Sequence, residues 1–387
     1  MSTSPTSERE RLTRMTVSNY RSVGENVSIE FEPLTVLVGI NGSGKSNLLD
    51  APRFIAQALS DGLESAVEER HGFNSMLRDV GGPRGIMSVR LEVDAPTWTA
   101  TYLVELGAPK ASPDEYSIRQ ENLEVVDKDS RRTDSLTKSR LGKVTSTWSG
   151  LEAPVGDKRS LTLLAVGGDE RLAPIVAALR RIETYSLFPE TLRRPQTPSQ
   201  RAYLSKFGDN WPSVVRRVMA TSPARDLRLS LDRVTGDIVN VRAQRLGAGF
   251  LVAEFGHARA DGKTQWFDAA RESDGTLRVA GILTALVQEP PLTMIGVEEP
   301  EQTVHAGVIP ILMDFLREAS RSSRVLVTTH SPDLLDLVSE DELRVVDRID
   351  GTTRVARLDE GQKTLVKQRL ASPGELLRSQ GLIAQEP

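Results

Sequence analysis

Apolar residues recur along this chain in three patterns, and each predicts a different element. Compact apolar runs at 34–38, 292–297 and 324–329 are rich in β-branched and aliphatic side chains, the form of strands buried in a parallel sheet. Alternating positions at 15–20, 27–31, 87–93, 99–106 and 117–126 predict the strands of an antiparallel meander. Alternation returns at 227–231, 238–242 and 250–257, with Gly236, Gly247 and Gly262 in the turns. Helical spacing predicts helices from Lys45 onward, over 171–184, over 277–286 and over 308–319. Pro52 removes the donor that would meet the Leu48 carbonyl, so the helix after Lys45 is expected to kink or end early. Three stretches lack a period: 1–13, 60–83 and 127–150 read as a disordered tail and polar loops.

Composition narrows the class. The 387 residues are 39% hydrophobic and 26% charged with a formal net charge of −4, an ordinary globular balance. The absence of cysteine excludes disulfides, thiolate metal sites and thiol nucleophiles. The only histidines are His71, His257, His305 and His330, and they are not spaced as ligands on one helix. No apolar run is long enough to span a bilayer and no secretory signal opens the chain, so a cytoplasmic protein without a membrane partner is expected. Residues 180–228 carry ten basic and four acidic side chains within this acidic chain. Those arginines either meet the phosphates of DNA or pair with acids elsewhere in the molecule.

The chemistry starts at the end of the first apolar run. Gly39-Ile-Asn41-Gly42-Ser43-Gly44-Lys45-Ser46-Asn47 follows a strand and opens a helix, the arrangement in which backbone N–H groups cradle the phosphates of a nucleoside triphosphate. Lys45 supplies a positive charge at the β and γ oxygens, and Ser46 a hydroxyl for Mg2+. The second run ends in Glu298-Glu299-Pro-Glu301. A carboxylate at the C-terminal end of a parallel strand lies beside such a loop, so Glu298 is the candidate metal partner. Glu299 is then the candidate to orient water and accept its proton. The third run ends in His330, placed to bond the γ-phosphate or the water. Ser273-Asp274-Gly275, just before a buried helix, makes either a second anion nest or a plain helix cap. Strands ending in Gly39, Glu298 and His330 place the fold in the α/β class, with a largely parallel sheet flanked by helices, an antiparallel β lobe and a helical insertion.

The order of phosphate loop, Ser-Asp-Gly-Thr, Val-Glu-Glu-Pro-Glu and Thr-Thr-His-Ser-Pro resembles the ABC-type ATPases of the RecF, SMC and OLD group. It is most similar to stand-alone bacterial AAA-family ATP-binding proteins associated with abortive infection or toxin–antitoxin systems. The opening Val17-Ser-Asn-Tyr-Arg-Ser22 and the stretch at 187–196 are similar to the same family. The resemblance implies a P-loop NTPase head of ABC or SMC type. It assigns Gly39 to Ser46 to the Walker A loop, Glu298 to the Walker B acid, Glu299 to the catalytic glutamate and His330 to the switch histidine. Ser273, Asp274 and Gly275 stand where that family has its signature loop, which contacts the nucleotide of an opposite subunit. The chain departs from the family in carrying Glu298 where aspartate is usual, and Gln302 and Ala306 where Asn and Pro are usual. No residue matches the glutamine that ABC proteins place at Mg2+, Gln57 being a poor fit.

The implied organisation is a tail at 1–13, a first half of the head with the β lobe at 14–126, a loop and helical insertion at 127–226, a second half of the head at 227–361, and a C-terminal helix and tail at 362–387. The implied function is an ATP-binding and ATP-hydrolysing switch, using ATP and Mg2+, that forms a homodimer or higher homo-oligomer through its nucleotide sites. It signals to a protein effector such as a nuclease or toxin, or to DNA through 180–228, in a setting such as phage defence. The alternative is a DNA-repair or recombination ATPase of RecF type that binds DNA directly. A transporter subunit is disfavoured by the long stretch between Ser46 and Ser273, and an OLD-type nuclease by the short stretch after Pro332.

Overall fold

In chain order the elements of the computed structural model are β1 (Arg11–Ser18), β2 (Val27–Glu30), β3 (Leu34–Val38), α1 (Lys45–Asp61), α2 (Leu63–Glu68), α3 (Phe73–Met76), β4 (Ile86–Asp94), β5 (Trp98–Gly107), β6 (Ser117–Asp127), β7 (Thr133–Ser139) and β8 (Val144–Ser146). They continue with α4 (Thr162–Val166), α5 (Ala173–Arg180), β9 (Ile182–Tyr185), α6 (Pro189–Arg193), α7 (Trp211–Val218), α8 (Ala224–Thr235), β10 (Ile238–Leu246), β11 (Phe250–Ala258) and β12 (Thr264–Asp268). The last are α9 (Asp274–Leu286), β13 (Met294–Glu298), α10 (Ile309–Ala319), β14 (Arg324–Thr329), α11 (Pro332–Leu335), β15 (Leu343–Ile349), β16 (Thr352–Ala356), α12 (Glu360–Lys367) and α13 (Pro373–Ser379). The structure describes residues 9–78, 85–108, 115–152, 157–247 and 249–385.

The central sheet has the order β16-β15-β3-β14-β13-β9, with every neighbouring pair parallel except β15 with β16. Leu34, Val36 and Val38 of β3 face one core and Leu37 the other, so the strand is buried on both sides, as a continuous apolar run requires. One core lies between this sheet, α1, α5 and the antiparallel sheet β2-β1-β4-β5-β6-β7-β8. The other joins it to α7, α8, α9, α10 and the three-stranded sheet β10-β11-β12. Register places Val38 beside Thr329 and Thr328 beside Glu298, so the ends of β3, β14 and β13 meet at one edge. Ligands of open α/β sheets bind at that edge.

Several local expectations are corrected. The helix after Lys45 does not end early at Pro52 but runs 17 residues, 12 of them buried, and packing on both sides outweighs the one lost hydrogen bond. Residues 227–231 are helical within α8: Leu227 and Leu231 are buried one turn apart and Leu229 is exposed, a spacing that also reads as alternation. Residues 182–184 leave the helical reading and form β9, fully buried against β13. The polar stretch 127–150 contains β7 and β8, outer strands of which β8, the edge, is only three residues long, and a short edge strand offers little to pair with. The stretch 60–83 includes α2 and α3, with 79–83 outside the described residues. Of the expected tail, residues 1–8 lie outside the described residues, while Arg11 to Thr13 already belong to β1.

Candidate nucleotide site

The loop between β3 and α1 is shaped by two close approaches. A Cβ on Gly39 would fall 2.2 Å from the Val346 carbonyl oxygen on β15, and one on Gly44, at φ 105°, would fall 2.1 Å from Thr353 Oγ1. Only glycine keeps both contacts. Neutral hydrogen bonds then lock the loop: Asn47 Nδ2 donates to Ser22 Oγ at 2.8 Å, Ser22 and Thr353 hydroxyls lie 2.7 Å apart, and Thr353 donates to the Ser43 carbonyl at 2.7 Å. Ser22 arrives on the β1–β2 turn, whose Tyr20 and Arg21 are anchored to buried Asp50 in α1. Burial pushes the Asp50 carboxyl up, but Arg70, the Tyr20 hydroxyl and Arg21 together hold it below the usual carboxylate range. The similarity of 17–22 to a known first strand thus corresponds to a physical brace under the loop.

Asn41, Gly42, Gly44, Lys45, Ser46, Asn47, Glu299 and His330 line one open cleft of about 760 Å3, joined by Ser22, Gln302 and Arg348. Lys45 Nζ donates to the Gly39 and Ile40 carbonyls at 2.6 and 3.0 Å. Burial lowers its pKa, while Glu299 and Glu301 draw it back up. Gly39 and Ser43 lie behind this surface; the Ser43 hydroxyl is buried, so the residue offers its backbone rather than its side chain.

Glu299 stands at the end of β13 with φ 43°, a left-handed conformation costly for a residue with a Cβ and concentrated at functional sites. Its N–H donates to the Thr328 carbonyl at 2.9 Å. One carboxylate oxygen accepts from His330 Nδ1 at 3.1 Å and the other from Gln302 Nε2. Glu298, one residue earlier, is on the face of β13 that carries α1, since Gly296 two positions before it lies against Leu49. The third acid, Glu301, accepts from the Thr329 hydroxyl with one oxygen, while the other is buried without a partner. Burial raises its pKa.

Ser273, Asp274 and Gly275 do not enter the cleft. They line a second groove of about 680 Å3 with His257, Glu272, Thr303 and His305. Ser273 caps α9, accepting from Thr276 N at 3.1 Å, and Arg193 reaches across from α6 to Asp274 at 2.6 Å. Cleft and groove are bridged by Arg278 of α9, a buried arginine that donates to the carbonyls of Glu298 (3.0 Å), Glu299 (2.8 Å) and Leu187. Burial lowers its pKa, against the pull of Glu301, Glu299 and Glu298.

Sequence reasoning missed Ser22, Arg278, Gln302, Arg348 and Thr353 as parts of this assembly. Arg278 carried a signal, a charge inside an otherwise apolar helix; Thr353 and Arg348 carried none, because they lie more than 300 positions from the loop they touch. Gln57 is engaged elsewhere, with Glu69 and Arg70, and among the described residues Gln302 is the one glutamine lining the cleft. The cations of 180–228 are largely committed within the molecule. Arg180 meets the Leu59 carbonyl, Arg181 Glu10, Arg193 Glu190 and Asp274, Arg201 Glu183, and Arg217 the Ser199 and Ala202 carbonyls.

The family described as "AAA domain, putative AbiEii toxin, Type IV TA system" matches residues 34–336, from the phosphate-loop strand to just past His330. The chain belongs to this family. In fold this AAA protein is similar to the Smc head domain with an extended coiled coil bound to the C-terminal domain of ScpA from Pyrococcus furiosus, with TM-score 0.55, 12% identity and coverage of 94% of this chain and 100% of that one. It is similar also to the SmcHead bound to the C-winged helix domain of ScpA, with TM-score 0.51, 14% identity and coverage of 92% and 99%. No curated protein matches the chain. Family and fold together make it an ABC/SMC-like AAA ATPase, with the P-loop head expected from its motifs. No described helix is long and apolar enough to cross a membrane.

Proposed function

We propose that this chain binds and hydrolyses ATP and that ATP draws two copies together, the signature groove of each meeting the cleft of the other. The observation that carries this reading is the convergence of Lys45, Ser46, Glu299 and His330 on one cleft while Ser273 to Gly275 stand in a separate groove. A groove that belongs to the same reaction but not to the same cleft has to be supplied to a second molecule.

The residues present fit a magnesium-bound triphosphate. Lys45 holds only loop carbonyls, which phosphate oxygens would outcompete for an ammonium. Ser46 and Glu298 would hold the metal, which when bound neutralises charge on the phosphate oxygens. Glu299 aligns the attacking water and takes its proton, and His330 keeps that carboxylate oriented through their hydrogen bond. Gln302 restrains the other oxygen, and each carboxylate oxygen keeps a second lone pair for the water. The α9 helix senses the result, because Arg278 grips the carbonyls of both acidic residues. Hydrolysis resets a conformational state, and slow turnover suits that role.

The output is read by a protein effector, a nuclease or toxin, in cytoplasmic defence against phage; the family's description, which names a putative toxin of a Type IV TA system, supports a toxin-related setting. Direct output to DNA through 180–228 has less support, since most of those arginines already hold internal partners. Light scattering of Glu299→Gln with and without ATP and Mg2+ tests the pairing. A heavier species is expected only with nucleotide, and an unchanged mass in both samples overturns the pairing. Phosphate release by the wild type, absent in Glu299→Gln, tests the hydrolysis.

A further inference from the structure

One imidazole in the second groove is held between two carboxylates. His257, near the end of β11, has Nδ1 2.9 Å from Asp237 Oδ2 and Nε2 2.9 Å from Glu272 Oε1. A carboxylate offers only acceptors, so both ring nitrogens carry protons and the ring is an imidazolium. Asp237 sits between α8 and β10, and Glu272 immediately precedes Ser273, the cap of α9. The other groups around the ring do not replace these partners. Phe267 meets it edge-on at 5.2 Å with Arg271 stacked on that phenyl ring, Gln265 pairs with His257 across β11–β12 and is neutral, and Asp274 and His305 line the same groove.

We propose that His257 is a positioning residue whose imidazolium fastens Glu272, and through it the Ser273–Gly275 loop, in the pose that a second copy's nucleotide meets. The inference rests on the pairing reading and adds a pH dependence to it. From the opposite side the loop is held by Arg193, which contacts Asp274 at 2.6 Å and the Glu272 carbonyl at 3.3 Å and does not titrate in the working range. His257 is therefore the restraint on this loop that loss of a proton can release. Burial lowers its pKa, but the hydrogen bonds and charges of Asp237 and Glu272 outweigh that and raise it above the ordinary 6.5. The clamp is closed below that raised value and opens above it.

The experiment has two arms. In the first, side-chain NMR follows the four histidines of the nucleotide-free wild type. His257 is expected to titrate above 6.5, and Asp237→Asn to move its midpoint down. A midpoint at or below 6.5 overturns the clamp, whatever ATP does. In the second, ATP-dependent mass is followed in the Glu299→Gln background from about pH 6 to about pH 9, spanning the histidine range. Pairing is expected to weaken on the alkaline side of the measured midpoint, and His257→Gln to pair about tenfold more weakly below that midpoint, one charge-assisted bond's worth, with that pH step gone. A His257→Gln protein with unchanged pairing and pH step overturns the positioning role. Should that variant fail to fold, Asp237→Asn carries the test, since its pH step has to shift by the displacement seen in the NMR arm. No ATP-dependent mass at any pH overturns the pairing reading itself, a result the first arm cannot mimic.

Discussion

The two halves of the proposed site are held by different forces. At the phosphate loop itself, order comes from backbone contacts and a chain of neutral groups, Asn47, Ser22, Thr353 and the Ser43 carbonyl, and the ion pair of Asp50 with Arg70 that braces the turn beneath it is buried and little screened. Around the signature loop it comes from ion pairs, His257 with Asp237 and Glu272, and Arg193 with Asp274. Neutral hydrogen bonds respond little to salt or pH, whereas exposed ion pairs are screened by salt and histidine pairs are lost with the proton. On the proposed reading, nucleotide capture would be constant and pairing conditional, with Arg278 joining the two.

That contrast is sharpest at Lys45. Lys45→Ala is expected to weaken nucleotide binding by on the order of a hundredfold, measured by calorimetry, through loss of the charge-assisted phosphate contacts. Retained affinity would mean that the cleft is not the nucleotide site. Arg278→Met should break the bridge, costing about 3 kcal/mol in denaturant unfolding because the buried Leu187 carbonyl and the part-buried Glu298 and Glu299 carbonyls lose their donor, and abolishing hydrolysis. Thr353→Val should cost roughly 1 kcal/mol, with a deficit that stays constant with pH and salt. Arg193→Ala, at the charged half, should cost about 0.5 kcal/mol, and the deficit should shrink as salt is added. If the Thr353 deficit followed salt and the Arg193 deficit did not, the division between the halves would be wrong. Smallest is the effect of pH on folding. Because the folded His257 pKa is raised, its stabilisation is fully present below about 6.5 and fades as pH climbs through the folded value, a slope that His257→Gln should remove from thermal unfolding curves.

Much of the fold was legible because burial leaves a direct trace in a strand. Residues 34–38 and 294–297 are largely apolar without alternation, and they proved to lie in central strands covered on both faces. The meander at β4, β5 and β6 alternates as an antiparallel sheet with one packed face has to. Short segments failed where one pattern serves two structures. Leu227, Leu229 and Leu231 satisfy a period of two over five residues, yet a helix buries the outer pair equally well, and only packing of α8 on α9 and β10 decides. β9 was hidden for a related reason: Ile182 to Tyr185 follow α5 with one residue between, and their strand form exists because β13 offers a free edge.

The sequence by itself determined which loop could serve as a phosphate cradle. Its residues are contiguous, and the proposed role follows from local backbone geometry and the charge of Lys45. It also determined the order of the acidic strand and the histidine strand, which parallel pairing brings to one edge. Tertiary structure alone decided who supports whom. The groups that brace the loop, hold the Glu299 carbonyl and bond Glu272 come from β16, α9 and β11, and a hydrogen bond between distant residues leaves no mark in the local pattern of either one.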